Sequence, residues 1–198
     1  AVMHDASALS RIVSLGLLGL VPELLGLTPA RRIILIPAED LVLLEDQDRS
    51  AWDVAAIERG REHLSVAHEL ADLGPFQLEA AVAAVHATAP TFADTDWSVV
   101  VALYEALVLR SPSPVVELNR AVAVGMAFGP AAALELVDAL ADEPSLKQYQ
   151  WLPSVRADLL AKLGRHEEAR AEFERAAALA RNERERELLL ERARAMAP

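Results

Sequence analysis

From Gly74 onward, apolar positions recur at helical spacing between breaks marked by proline or glycine. Gly74-Pro75 opens PFQLEAAVAAVHATA, in which Leu78, Ala81, Val82 and Val85 share one helical face, and Pro90 follows its end. Asp94 and Asp96 are N-cap candidates for the next helix, WSVVVALYEALVLR, where acidic groups also suit the helix dipole. Ser111-Pro112-Ser113-Pro114 breaks the chain and starts VVELNRAVAVGMAF, and Gly129-Pro130 turns it into AAALELVDALAD. Beyond Glu143-Pro144 a helix is predicted over Trp151–Leu163, with Gly164 at the C′ stop. In the following EEARAEFERAAALA, residues Ala169, Phe173, Ala176, Ala177 and Ala180 form one small, tight face. The last segment, Glu183–Met196, carries a ladder of acids and bases suited to a solvent-facing cap, with Leu188 to Leu190 turned inward.

Helix, short turn, helix recurs along this half. AFGPAAALELVDAL sets against KLGRHEEARAEFERA with Gly129 and Gly164 thirty-five residues apart. A period near thirty-four residues built from helix pairs is the mark of tetratricopeptide-type repeats. The expected fold is therefore all-α, an antiparallel helix-hairpin (tetratricopeptide-like) repeat stack of about nine to ten helices.

The first half is less regular. Ser50–Leu73 reads as one amphipathic helix with Ser50 as its cap, while Ala6–Leu20 and Pro22–Ile36 read as a hairpin of apolar helices. Leu41–Leu44 is either a buried extended stretch or a tight connector. The expected organisation is an apolar helical hairpin over 1–40, then a helical repeat domain over 41–198 with its C-terminal cap. The apolar stretch Ile12–Leu27 contains Pro22 and Glu23 and falls short of a clean span, so it reads as buried core and no membrane partner is expected. The first Met stands at position 3, after Ala1-Val2, and the chain is expected to be a fragment of something longer.

Composition sharpens this picture. Hydrophobic residues make up 53% but aromatics only 5%, so the apolar content is Ala, Leu and Val, a helix-forming palette. Thirty acidic against nineteen basic side chains give a net charge of −11, which repels phosphate backbones and anionic membranes alike. The absence of cysteine removes disulfides and thiolate chemistry and leaves a reducing cytoplasm as the default location.

The densest polar cluster runs from Glu45 to Asp53 and includes Asp46, Gln47, Asp48, Arg49, Trp52 and Asp53. Its closely spaced acids suit a hard cation, yet the glycine and terminal bidentate glutamate of a calcium loop are missing, and no metal is expected. Helix capping by Asp48 or Ser50, pairing of Arg49 with a carboxylate and anchoring by Trp52 form one reading; recognition of a partner is the other. His63 and His68 lack the spacing that turns two imidazoles to one zinc ion, and no HExxH occurs. His86 is either a hydrogen-bonded, partly buried side chain or part of a site. Without a nucleophile elbow, a cysteine or a glycine-rich phosphate loop, neither an enzyme nor a cofactor is expected. Gln77, Glu117, Asn119, Arg120 and Arg156 lie on helices that line up in a repeat stack, where polar residues either grip a partner or fix register between helices.

Four segments together carry a more specific signal: LVLLEDQDRSAWD at Leu41–Asp53, GPFQLEAAVAAVHATAP at Gly74–Pro90, DTDWSVVVALYEAL at Asp94–Leu107 and SPVVELNRAVAV at Ser113–Val124. In order and spacing they resemble the C-terminal extension of a group of extracytoplasmic-function RNA polymerase sigma factors, over Leu41–Met196. The resemblance implies two preceding helical domains that read promoter elements and bind core polymerase, followed by a tetratricopeptide-like extension that controls sigma activity. Members often accompany genes for small proteins of the YCII-related class. The chain has no basic helix-turn-helix, so it resembles the extension only, and DNA contact is assigned to the missing N-terminal domains of a full-length protein. Expected partners are those sigma domains, core RNA polymerase or a small regulator. The expected contact surface, or alternatively a ligand-sensing pocket, comprises Asp46, Gln47, Asp48, Arg49, Trp52, Asp53, Gln77, His86, Asn119 and Arg120.

Overall fold

A computed structural model describes residues 47–69 and 74–196 of the chain. Among them the chain is all-α, with eight α-helices, two short 3-10 turns and no strand. The helices are α1 (Val54–Glu69), α2 (Pro75–Thr88), α3 (Trp97–Arg110), α4 (Pro114–Phe128), α5 (Pro130–Ala139), α6 (Trp151–Lys162), α7 (His166–Leu179) and α8 (Glu183–Ala195). The 3-10 turns are Arg49–Ala51 and Pro144–Leu146. Eight is slightly below the nine to ten helices expected; the hairpin expected over Ala6–Leu20 and Pro22–Ile36, and the stretch Leu41–Leu44, lie outside the described residues. Among the described residues no helix is long and apolar enough to cross a membrane.

The chain divides between Pro112 and Ser113 into two compact units. In the first, α2 packs against both α1 and α3. In the second, each helix from α4 to α8 packs on the next in the chain, and α4 also touches α6.

The punctuation seen in the sequence sets the helix starts. Pro75, Pro114 and Pro130 each stand at the beginning of a helix, where a fixed φ helps and no backbone donor is needed. Asp96 caps α3 by accepting from the Val99 amide at 3.1 Å. Asp94 does not cap; it accepts from the Thr91 amide and hydroxyl at 3.1 and 2.7 Å and closes the preceding turn. A single residue, Gly129, separates α4 from α5, with φ 98° and ψ 165°, a region in effect reserved for glycine. Gly164 at φ 75° ends α6 as expected: its amide reaches the Ala161 carbonyl at 3.0 Å and the Arg165 amide reaches Leu160 at 2.9 Å.

One boundary moves. The helix expected from Ser50 begins at Val54, because Asp48 accepts from both the amide and hydroxyl of Ser50 and closes a 3-10 turn first. Asp53 then caps α1, accepting from the Ala56 amide at 2.9 Å.

In the second unit, Ala121–Val124, Ala133, Val137, Leu159 and Leu160 are buried, as is the whole predicted face Ala169, Phe173, Ala176, Ala177 and Ala180. Contacts at the repeat interval tie α4, α6 and α8 together. A Cβ placed on Gly125 of α4 lies 3.5 Å from Leu159 of α6, thirty-four residues on. Asp158 of α6 accepts from Arg192 of α8 across the same interval, at 2.8 Å. Gln150 reaches Glu185 at 2.6 Å across thirty-five residues. The Arg192 guanidinium also lies over the Phe173 ring, 5.4 Å from its centre.

Candidate functional site

Within the first unit, Arg49 is the residue that ties the 3-10 turn to α2. Its Nη1 donates to the carbonyls of His86 at 2.6 Å and Ala89 at 2.7 Å, at the end of α2. Those carbonyls lack intrahelical partners, and the negative end of the helix dipole favours a cation there. The same guanidinium lies over the Trp52 ring, 4.5 Å from its centre. Where one reading from sequence paired Arg49 with a carboxylate, among the described residues it forms a helix-end clamp instead. Burial lowers the Arg49 pKa from its usual value, opposed by the charge of Asp94.

On the inner side of this clamp, His86 is 2% exposed and meets Trp97 edge to face, with ring centres 5.0 Å apart. Phe92 packs on Trp97 in the same manner at 5.4 Å. Burial, and then the nearby Arg49 charge, push the His86 pKa down to about 4, so the imidazole is neutral near pH 7. Among the described residues neither ring nitrogen has a hydrogen-bond partner, whereas one of the two readings from sequence had a hydrogen-bonded, partly buried histidine. Arg49 Nη2, Trp52 Nε1 and Thr95 Oγ1 are likewise buried and unpartnered. Glu79, two turns before His86 on α2, is raised by burial, and Tyr104 of α3 is pushed up to about 12 by burial and the Glu79 charge.

The other expected residues fall elsewhere. Asp48 is exposed, and the Ser50 hydroxyl and amide hold its carboxyl below the usual range. Asp53 is exposed and serves as the α1 cap, and Gln47 is half-buried. Gln77 lines a groove of about 390 Å³ between α1 and α2, over an apolar floor that includes Leu64, Leu78 and Ala81, with Arg61 and His68 among its lining. Asn119 and Arg120 belong to the second unit; Arg120 donates to Glu117 one turn back at 2.8 Å. Asp46 lies outside the described residues. The structure thus brings Arg49, Trp52 and His86 together and adds Trp97, which sequence reasoning passed over. The signal for Trp97 was a scarce aromatic placed directly after a helix cap, in Asp96-Trp97.

Among the described residues, no group of histidine and carboxylate side chains is arranged to hold a metal ion. The cluster offers a cation and indole and imidazole nitrogens in an aromatic setting, and such groups bind and orient acceptors.

Over 185 residues the chain is 42% identical to an uncharacterized protein of Rhizobium meliloti (strain 1021). The match covers 90% of this chain but only 43% of that relative, so the chain spans less than half of the curated protein it matches. No protein-family model matches the chain, and no solved structure does.

Proposed function

We propose that the chain is a non-enzymatic regulatory domain of a cytoplasmic RNA polymerase sigma factor. It acts in transcription initiation by binding the sigma factor's own N-terminal domains, core RNA polymerase or a small regulator. The observation that carries this reading is the convergence of motifs. Arg49 and Trp52 come from the first sigma-extension-like segment, His86 and Ala89 from the second, and Asp94 and Trp97 from the third. Segments that merely built a helical scaffold would have no need to supply one polar cluster between them.

Two further features support it. Contacts at intervals of thirty-four and thirty-five residues in the second unit fit antiparallel, tetratricopeptide-like hairpins, α4–α5 and α6–α7, closed by α8 as a cap. The match to under half of a longer relative fits a domain that works beside others. DNA contact belongs, on this reading, to the N-terminal domains of the full-length protein.

The test is a pull-down with the isolated chain, using the sigma domains and core polymerase as bait in turn, beside transcription assays of full-length Arg49→Ala and Asn119→Ala proteins. Retention by either bait and a loss of transcription control greater than any fall in the variants' abundance are expected. Retention by neither, with activity tracking abundance alone, overturns the proposal. A second reading, a helical domain that senses a small molecule, is favoured by the unpartnered buried donors of Arg49 and Trp52.

A further inference from the structure

Five described arginines are not fully exposed: Arg49, Arg120, Arg156, Arg186 and Arg192. Four of them hold carboxylates. Arg120 pairs with Glu117 at 2.8 Å, Arg156 with Asp138 at 2.8 Å and Glu172 at 3.1 Å, Arg186 with Glu183, and Arg192 with Asp158 at 2.8 Å. Arg49 has none within 4.0 Å among the described residues; Asp94 acts on it only at longer range and is itself bonded to Thr91. In a chain with net charge −11, a half-buried guanidinium without a carboxylate partner among the described residues is out of keeping with the other four.

Its surroundings sharpen the anomaly. The carbonyls of His86 and Ala89 occupy Nη1, while Nη2 is buried and bonded to nothing. The adjacent Trp52 Nε1 is also a buried donor without a partner. An indole nitrogen only donates, and a neutral imidazole presents one N–H and one acceptor nitrogen, so the unmet demand is mainly for acceptor oxygens. Each buried donor left unmet destabilises the fold, a loss that a correctly placed acceptor reverses.

We propose that Arg49, Trp52 and His86 form a receiving site for a carboxylate, one oxygen on Arg49 Nη2 and the other on the Trp52 indole, with His86 and Trp97 as its wall. Arg49 and Trp52 both ride on the short segment around the 3-10 turn, whose Asp48, Ser50, Ala51 and Asp53 are exposed. The carboxylate has two possible sources, a small organic acid or an acidic side chain of the protein partner. The inference deepens the regulatory reading and rests on it for its biological meaning.

The experiment titrates the 198-residue chain separately with succinate and with a blocked Gly-Glu-Gly peptide, each against sodium chloride at matched ionic strength. It follows the Trp52 indole N–H by NMR and the thermal midpoint. A saturable shift of that resonance and a rise in midpoint with either probe is expected; saturation at lower succinate concentration assigns the small acid, and at lower peptide concentration the side chain. Arg49→Gln is expected to abolish the midpoint rise. Trp52→Phe, which keeps the ring and deletes only the donor, is expected to weaken binding at least fivefold and guards against a misfolded Arg49 variant. Equal response to chloride, no saturation with either probe, or a folded Trp52→Phe protein that binds as tightly as the parent overturns the inference. The regulatory reading fails separately, on the pull-down and transcription result.

Discussion

Arg192 on α8 donates from Nη1 to Oδ1 of Asp158 on α6 at 2.8 Å, and the two side chains are only 9% and 3% exposed. Losing one partner leaves the other charged and buried, which typically costs about 3–5 kcal/mol, whereas replacing both with apolar groups is often tolerated. Asp158→Ala is therefore expected to be strongly destabilising, and Asp158→Leu with Arg192→Met clearly less so. Urea denaturation of the single and double variants checks this; additive losses would show that the pair is not coupled.

His86 gives a pH signature. Its folded pKa of about 4 lies below the ordinary 6.5, so between those values the unfolded chain binds a proton that the folded chain refuses. Stability is then fully present above pH 6.5, falls as the pH drops toward 4, and levels off below it. The full span corresponds to roughly 3 kcal/mol at 1.36 kcal/mol per pH unit. His86→Phe, which keeps a ring against Trp97, should remove this component of the slope. Denaturation midpoints from pH 7 to 4 decide it, and an unchanged slope in the variant contradicts it.

Gly129 should tolerate no side chain. At φ 98° and ψ 165° the cost of Gly129→Ala is expected at about 1–3 kcal/mol, although nothing stands within 4 Å of the added Cβ. Gly164, at φ 75°, is in the left-handed region that asparagine also enters, so Gly164→Asn should cost less than Gly129→Ala. Thermal unfolding of the two variants ranks them.

Two arginines chosen together from the sequence should behave differently. Arg49→Ala removes the partner of two helix-end carbonyls, with an expected loss of about 1–3 kcal/mol and faster amide exchange over the last turn of α2. Arg120→Ala removes a partly solvated pair one turn apart and should change stability by less than about 0.5 kcal/mol. Hydrogen exchange and denaturation of both proteins test the contrast.

The helices from Pro75 on were legible because their starts and stops are local events. Proline at a first position, Asp96 as a cap and Gly164 as a stop each act within a few residues, and periodicity marks the buried face between them. The start of α1 was misplaced at Ser50 because Asp48, Ser50 and Asp53 all have cap chemistry. Only the geometry assigns the 3-10 turn to the first two and the helix to the third. Arg49, Trp52 and His86 were chosen for their residue types in ordered motifs, whereas Trp97 was missed because an aromatic at a helix start looks like ordinary packing.

What the sequence by itself determined is the helical class, most of the breaks and the acidic surface, since these follow from composition and short-range pattern. The tertiary structure decided partners. It set the Arg49 guanidinium against the His86 and Ala89 carbonyls forty residues and fewer away, and joined Asp158 to Arg192 across thirty-four. Among the described residues it also left buried nitrogens of Arg49, Trp52 and His86 without partners. Such pairings depend on which helix ends and faces meet, a long-range outcome of packing that no short stretch of chain encodes.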